Sequence, residues 1–324
     1  MEKIDVIIPA YNAHKTLDRC LCSIACQSII EDIEVTIVDD CSPNGGYSEF
    51  VERYGNLINI REIKIEKNGG PGVARQFGID NTSNPFMVFI DADDTFCGSF
   101  ALQLLRTGIT VEDNIHMCVS TFVEELDKGF FLHNEDLVWM FGKIYKRSFW
   151  EKNNVRFHPT SRANEDNGIN TMLRLLSTEE EPINFIKDIT YCWHTNENSI
   201  TRINDGEYSF NQGFVGFVEN MTWAIQNANK ILPNDDLILH WTAQTLCTLY
   251  IWYFKNKAER PDLAYRNFGL CQKFYKDNKY LIEEKITLGL LTEAYAYTVQ
   301  HVKPDMLNVI PRQSLPEWLE SIKG

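Results

Sequence analysis

No stretch of eighteen apolar residues occurs in the chain, and its first strand-like run already begins at residue 4, so neither a membrane span nor a signal peptide is expected. A glycine-rich loop closed by Gly-Lys-Ser/Thr is missing, and so is the Gly-x-Gly-x-x-Gly spacing, so P-loop and dinucleotide readings lose ground. Cysteines in a disulfide or zinc framework are missing too. The nine present, at 20, 22, 26, 41, 97, 118, 192, 247 and 271, are odd in number and scattered. Cys20, Cys22 and Cys26 follow one helical pattern with no second ligand pair, which favours buried free thiols and a reducing cytoplasm. Basic charge is scarce: 31 Lys and Arg face 45 Asp and Glu, for a net charge of −14. The deficit lies in residues 1–203, with 19 basic against 31 acidic, rather than in 204–324, with 12 against 14.

What is present is an apolar run that ends abruptly in carboxylates, Val88-Phe89-Ile90-Asp91-Ala92-Asp93-Asp94. Such a run suits a buried strand, and clustered like charges at its tip cost stability unless a cation or hydrogen-bond donors offset them. Oxygen-only ligands open to solvent suit Mg²⁺ or Mn²⁺, while an acidic turn capping the next helix is the plainer alternative. Upstream, Ile4–Asn12, Ile33–Val38 and Ile60–Ile65 read as strands, and helical patterns follow each. Alternation of this kind predicts an α/β, doubly wound, mostly parallel sheet, with ligands bound off the carboxyl ends of its strands. Asn12, Asp39, Asp40 and the aspartates at 91, 93 and 94 all fall at those ends.

Pro9-Ala10-Tyr11-Asn12, Val38-Asp39-Asp40-Cys41-Ser42, Asn68-Gly69-Gly70 with Ala74-Arg75-Gln76, and Asp91-Ala92-Asp93-Asp94 resemble, in order and spacing, the motifs of family 2 glycosyltransferases. The resemblance covers roughly the first two hundred residues, and four blocks together are far more specific than one. It implies the GT-A fold, a nucleotide-sugar donor, a divalent metal and inversion at the anomeric carbon. By the same resemblance Asp40 contacts the base with Asp39 beside it, and Arg75 supports that end of the donor. Pro9, Tyr11, Asn12, Asn68, Gly70 and Ala92 line the donor, and Asp91 and Asp93 form the metal motif, with Asp93 the direct ligand. The chemistry agrees: a carboxylate can accept a hydrogen bond from the uracil imide N–H and has nothing to offer a phosphate. A UDP-sugar with Mn²⁺ or Mg²⁺ is therefore the expected donor system.

Further along, Trp139 to Arg147 resembles the family's tryptophan-containing segment ahead of the acceptor-side helix. Trp139 either stacks on a sugar or belongs to the core. Arg162-Ala163-Asn164-Glu165-Asp166-Asn167 opens a helical run where the family places its general base. Asp166 matches that position and Glu165 is the fallback, although either also suits the positive end of a helix, an effect of about 0.3–1 kcal/mol. Tyr191 to Arg202 resembles the segment that folds over the donor diphosphate. There Ser199, Thr201 and Arg202 offer hydrogen-bond donors to phosphate, and His194 is either a third metal ligand or proton carrier, or a hydrogen-bonded structural residue.

Beyond Arg202 the pattern turns wholly helical, with apolar spacing over Phe210–Ala228, Leu237–Phe254, Leu263–Tyr275 and Leu281–Val299. The expected division is a catalytic domain at 1–203 and a helical C-terminal domain at 204–324, with an acceptor-binding or packing role. Lys255, Lys257, Arg260, Arg266, Lys273, Lys276, Lys279 and Lys285 read either as a solvated helix face or as a surface for a polyanion such as DNA. The expected function is sugar transfer from a UDP-sugar to a saccharide or glycoconjugate. The alternatives are the same chemistry on a hydroxymethylated base of modified DNA, and a non-catalytic nucleotide-sugar-binding module. The carboxylates at 39, 40, 91, 93 and 166 argue against decay to a module, because such charges are destabilising without a ligand.

Overall fold

The computed structural model describes residues 2–196, 212–309 and 311–324. Two compact units, Met1–Arg202 and Ile203–Gly324, make up the chain. In the first, β1 (Ile4–Ala10), α1 (Leu17–Ala25), β2 (Ile33–Asp39), α2 (Ser48–Tyr54), β3 (Asn59–Lys64), α3 (Pro71–Asp80) and β4 (Phe86–Phe89) alternate. These four strands pair parallel in the order β3-β2-β1-β4, with Ile4 opposite both Ile33 and Phe86. Covered on both faces, β1 and β4 are near-continuous apolar runs rather than alternating ones. Helix α1 buries Leu17, Cys20, Leu21 and Ile24, one stripe at helical spacing.

Past β4 the sheet becomes mixed. The remaining elements are β5 (Thr95–Phe96), α4 (Ala101–Thr110), β6 (Met117–Leu126), β7 (Gly129–His133), β8 (Lys143–Lys146), α5 (Arg147–Lys152), α6 (Glu165–Leu176) and β9 (Ile183–Trp193). Strand β8 lies antiparallel between β4 and β6, β9 runs parallel to β6, and β5 closes the far edge antiparallel to β9. The doubly wound parallel sheet expected from the pattern is thus its first half.

A buried ion pair ties the start of this sheet together. Arg147 donates to Asp5 Oδ2 at 2.9 Å, Thr82 Oγ1 at 2.7 Å, Asn84 O at 2.7 Å and Ile79 O at 3.0 Å. Removing one member of a buried pair strands the other charge in a low-dielectric site. Arg147→Met is therefore expected to cost about 3–5 kcal/mol of stability, read as a fall in Tm, and an unchanged Tm would refute it.

The second unit is helical: α7 (Phe214–Ile231), α8 (Asp236–Glu259), α9 (Ala264–Asp277), α10 (Lys279–Glu284), α11 (Leu288–His301) and α12 (Leu315–Ile322). The expected single helix at Leu281–Val299 is two, because Thr287 caps α11 by accepting from Leu290 N. Four of the cations read as a possible polyanion surface are paired with acids: Lys255 with Asp305, Arg260 with Asp262, Lys273 with Asp277 and Lys279 with Glu283. That is the arrangement of a solvated face. No described helix is long and apolar enough to cross a membrane. All nine cysteines are free, but of the three on the first helical pattern only Cys20 is buried, Cys22 and Cys26 being exposed against expectation.

Candidate active site

Parallel pairing brings the ends of β1, β2 and β4 to one edge, and with them the first, second and fourth motifs; the third follows β3. Pro9 is partly buried and Tyr11 and Asn12 are exposed; Asn12, at φ 53°, donates its N–H to Ser42 Oγ and accepts from Asn44. Asp40 accepts at 2.7 Å from both Gly69 N and Gly70 N, and its backbone carbonyl accepts from Asn68 Nδ2. Burial raises the Asp40 pKa, and these two amides work against that rise. Gly70 is at φ 88°, open to glycine at little cost, and Pro71 starts α3 immediately after it. Asp39 is fully buried, accepts from Ser42 N, and lies 3.1 Å from Lys64 Nζ in a poorly aligned ion pair.

Arg75 is buried on α3 and bridges two motifs that lie far apart in the chain. Its Nη2 donates to Asp91 Oδ1 at 2.6 Å and its Nη1 to Glu165 Oε1 at 2.7 Å. Burial opposes its charge, but Asp91 and Glu165 outweigh that and raise its pKa. The fork thus faces the carboxylates. Asp166 follows Glu165 at the start of α6, whose N-cap is Asn164 at φ 58°. Its pKa is pushed up to about 8, first by burial and then by Glu165, with Arg75 opposing. A carboxylate so poised takes up a proton near neutral pH.

The aspartates after β4 diverge in role. Asp94 is buried, accepts from Tyr191 Oη at 2.6 Å and from His194 N at 2.8 Å, and anchors the turn; burial, Asp93 and Asp91 raise its pKa well above the ordinary range. Asp93 accepts from Asn196 Nδ2 at 2.8 Å, its backbone carbonyl accepts from Arg19, and burial and then Asp91 raise its pKa. Ala92 between them is buried. Mutual repulsion of this kind suits oxygen ligands that await a hard cation. Among the described residues no three His, Cys, Asp or Glu side chains are grouped to hold a metal ion by themselves. Two carboxylates with the balance of the shell from phosphate oxygens and water still fit Mg²⁺ or Mn²⁺. His194 is engaged at both ring nitrogens, Nε2 with Thr95 Oγ1 at 2.8 Å and Nδ1 with Glu125 Oε2 at 3.2 Å.

Trp139 is partly buried, 5.0 Å from Trp193 and stacked at 5.8 Å on Phe141. Ser199, Thr201 and Arg202 lie outside the described residues. Sequence reasoning missed Arg19, Arg162, Asn196 and Glu125. Arg162 donates to Asn68 O at 2.5 Å and so holds the loop that supports Asp40. Its only signal was proximity to Glu165 and Asp166 in the chain.

Helices α3 and α6 meet at Gly72, where an added Cβ would sit 2.9 Å from Glu165 Cβ. Gly72→Ala must displace the Glu165 backbone or side chain. The expected cost is about 1–3 kcal/mol by overpacking, measured as a fall in Tm, together with weakened activity from the shifted carboxylate pair. Wild-type stability and turnover would contradict this packing.

The Glycosyl transferase family 2 model matches residues 5–164. Over 96 residues the chain is 38% identical to the poly(ribitol-phosphate) beta-N-acetylglucosaminyltransferase TarS of Staphylococcus aureus strain Mu50, a match spanning 29% of this chain and 17% of that protein. Over 181 residues it is 27% identical to the poly(ribitol-phosphate) beta-glucosyltransferase of Bacillus spizizenii, spanning 51% of this chain and 28% of the relative. The crystal structure of S. aureus TarS 1-349 in complex with UDP superposes with a TM-score of 0.66 at 20% identity, covering 92% of this chain and 88% of that one. The same fragment in complex with UDP-GlcNAc gives 0.59 at 19% identity, covering 94% and 82%. The fold is shared, and through residues 5–164 the chain belongs to glycosyl transferase family 2.

Proposed function

We propose, from the chain's membership of glycosyl transferase family 2, that it transfers a sugar from a UDP-sugar to a hydroxyl of a saccharide or polyol-phosphate acceptor, with inversion. One observation carries this reading: Arg75 joins Asp91 to Glu165 beside Asp166, so that the Asp91–Asp93 motif and a protonatable carboxylate are brought together. Asp40, held by the Gly69 and Gly70 amides, receives the uracil N–H, and Asp39 with Lys64 keeps the end of β2 in place. Pro9, Tyr11, Asn12, Asn68 and Ala92 border the nucleotide. Asp91 and Asp93 would hold Mn²⁺ or Mg²⁺, which would supply positive charge to offset that of a diphosphate. Ser199, Thr201 and Arg202 donate to the same diphosphate.

Asp166 takes the proton of the attacking hydroxyl, and Glu165, paired to Arg75, fixes where Asp166 stands. His194, through Thr95 and Glu125, positions the strand end behind Asp93 rather than binding the ion. Trp139 borders the acceptor. Residues 1–203 form the catalytic domain and 204–324 serve acceptor binding or packing. The acid-paired lysines of the helical unit weaken the modified-DNA reading. The relatives named above act on poly(ribitol phosphate), which makes a polyol-phosphate chain the first acceptor to try. Nine free thiols favour a reducing, cytoplasmic setting.

The test is UDP release from UDP-GlcNAc and UDP-glucose with Mn²⁺, with and without poly(ribitol phosphate) or oligosaccharides. Release stimulated by an acceptor is expected. UDP binding without release under any combination would instead mark a non-catalytic module.

A further inference from the structure

We propose that Lys143 and Asn170 form a bracket that positions the Trp139 segment against the helix carrying Asp166, so that acceptor and base keep a fixed geometry. The proposal rests on the reading of Asp166 as base. Lys143 opens β8 with no side-chain exposure. Its Nζ donates to Trp139 O at 2.6 Å and Phe141 O at 3.2 Å, and lies 3.7 Å from Asp136 Oδ1. Gly142, at φ 62°, makes the turn that folds these carbonyls back onto the amine; a Cβ there would lie 2.7 Å from Ser120 Oγ. Asp136 Oδ1 in turn accepts from Val138 N and Trp139 N, both at 2.9 Å.

Asn170 holds the same segment from the other side. Four residues after Asp166 on α6, it lies on the same helix face. Its Nδ2 donates to Trp139 O at 2.8 Å and Val138 O at 3.1 Å, and its Oδ1 accepts from Tyr145 Oη at 3.0 Å. Trp139 O therefore receives two donors, one from β8 and one from the base helix. A buried ammonium is costly, and an apolar residue of similar length would fill the same space more cheaply. The charge at Lys143 is explained by what it ties together. With no exposed surface, Lys143 is a positioning residue and touches no substrate.

The experiment compares wild type, Lys143→Met and Asn170→Ala in Mn²⁺ by three readouts: UDP binding, hydrolysis of UDP-GlcNAc to water across pH, and transfer to poly(ribitol phosphate). Both variants are expected to bind UDP as wild type does and to raise the acceptor KM about tenfold or more. Groups facing Asp166 are Glu165 on its own helix, Arg75 on α3, Asp91 after β4, and Lys143 and Tyr145 on β8. Removing the buried Lys143 cation, which faces Asp166, disfavours ionised Asp166, so the acid limb of hydrolysis moves to higher pH in Lys143→Met and stays in place in Asn170→Ala. Unchanged acceptor KM in both, with UDP binding intact, would overturn the bracket. If Lys143→Met loses UDP binding through misfolding, Asn170→Ala decides alone, and a wild-type acceptor KM there overturns it. Should Asp166→Asn retain full transfer, the base reading fails while the acceptor KM still reports on the bracket.

Discussion

Asp166→Asn lowers sugar transfer by about 10²–10⁴-fold while the Kd for UDP barely moves. The amide keeps the shape and the hydrogen bond from Asn167 N but cannot accept a proton. Wild-type activity rises with pH as Asp166 ionises, along a limb displaced above the ordinary carboxylate range, and the variant loses that limb. The sign of the stability effect separates this from damage. The folded-state pKa of Asp166 is raised, so its contribution to stability is present at low pH and lost as pH climbs through about 8. Asparagine carries no such loss, and the variant should melt at least as high as wild type at pH 8. A variant that melts with wild type but loses UDP affinity instead of turnover would transfer the base role to Glu165.

Asp93→Ala abolishes donor turnover and leaves Tm near wild type. Asp93 contributes little to the fold beyond its bond from Asn196, and its burial beside Asp91 already disfavours its charge. Chelation by EDTA should have the same effect on the wild type, reversed by Mn²⁺ or Mg²⁺. The neighbouring Asp94 behaves differently, because Tyr191 and His194 N occupy its oxygens. Asp94→Ala is expected to lower Tm as well as activity, since it leaves the Tyr191 hydroxyl buried without its acceptor. Full activity in EDTA would end the metal assignment.

Which parts of the molecule could be read in advance follows from where the information resides. Strands β1, β2 and β4 are local apolar runs ending in Pro9, Asp39 and Ile90-Asp91, and their parallel pairing follows from alternation with helices. The antiparallel half was not legible in this way: β8 is four residues long, and its place between β4 and β6 is a tertiary choice. In the helical unit, apolar spacing continues across Lys285-Ile286-Thr287, so the break between α10 and α11 left little trace beyond a threonine. Helix α12 did carry a signal, the capping box Ser314–Glu317, which sequence reasoning passed over.

At the site, motif residues were visible and their partners were not. Arg75 stood out in the sequence, but its pairing with Glu165, ninety positions away, depends on α3 and α6 touching at Gly72. Asp94 looked like one more acid in a cluster, and its burial against Tyr191 separates it from its neighbours. His194 drew attention as a lone histidine near the acids, yet Thr95 and Glu125 take up its ring.

The most direct test of the central claim is calorimetric titration of UDP into the protein with Mn²⁺, with EDTA, and into Asp93→Ala and Asp40→Asn with Mn²⁺. Saturable binding in Mn²⁺ is predicted, at least about tenfold weaker in each of the other three, a loss of about 1.4 kcal/mol or more. Absence of UDP binding in Mn²⁺, or equal affinity in all four titrations, would contradict it.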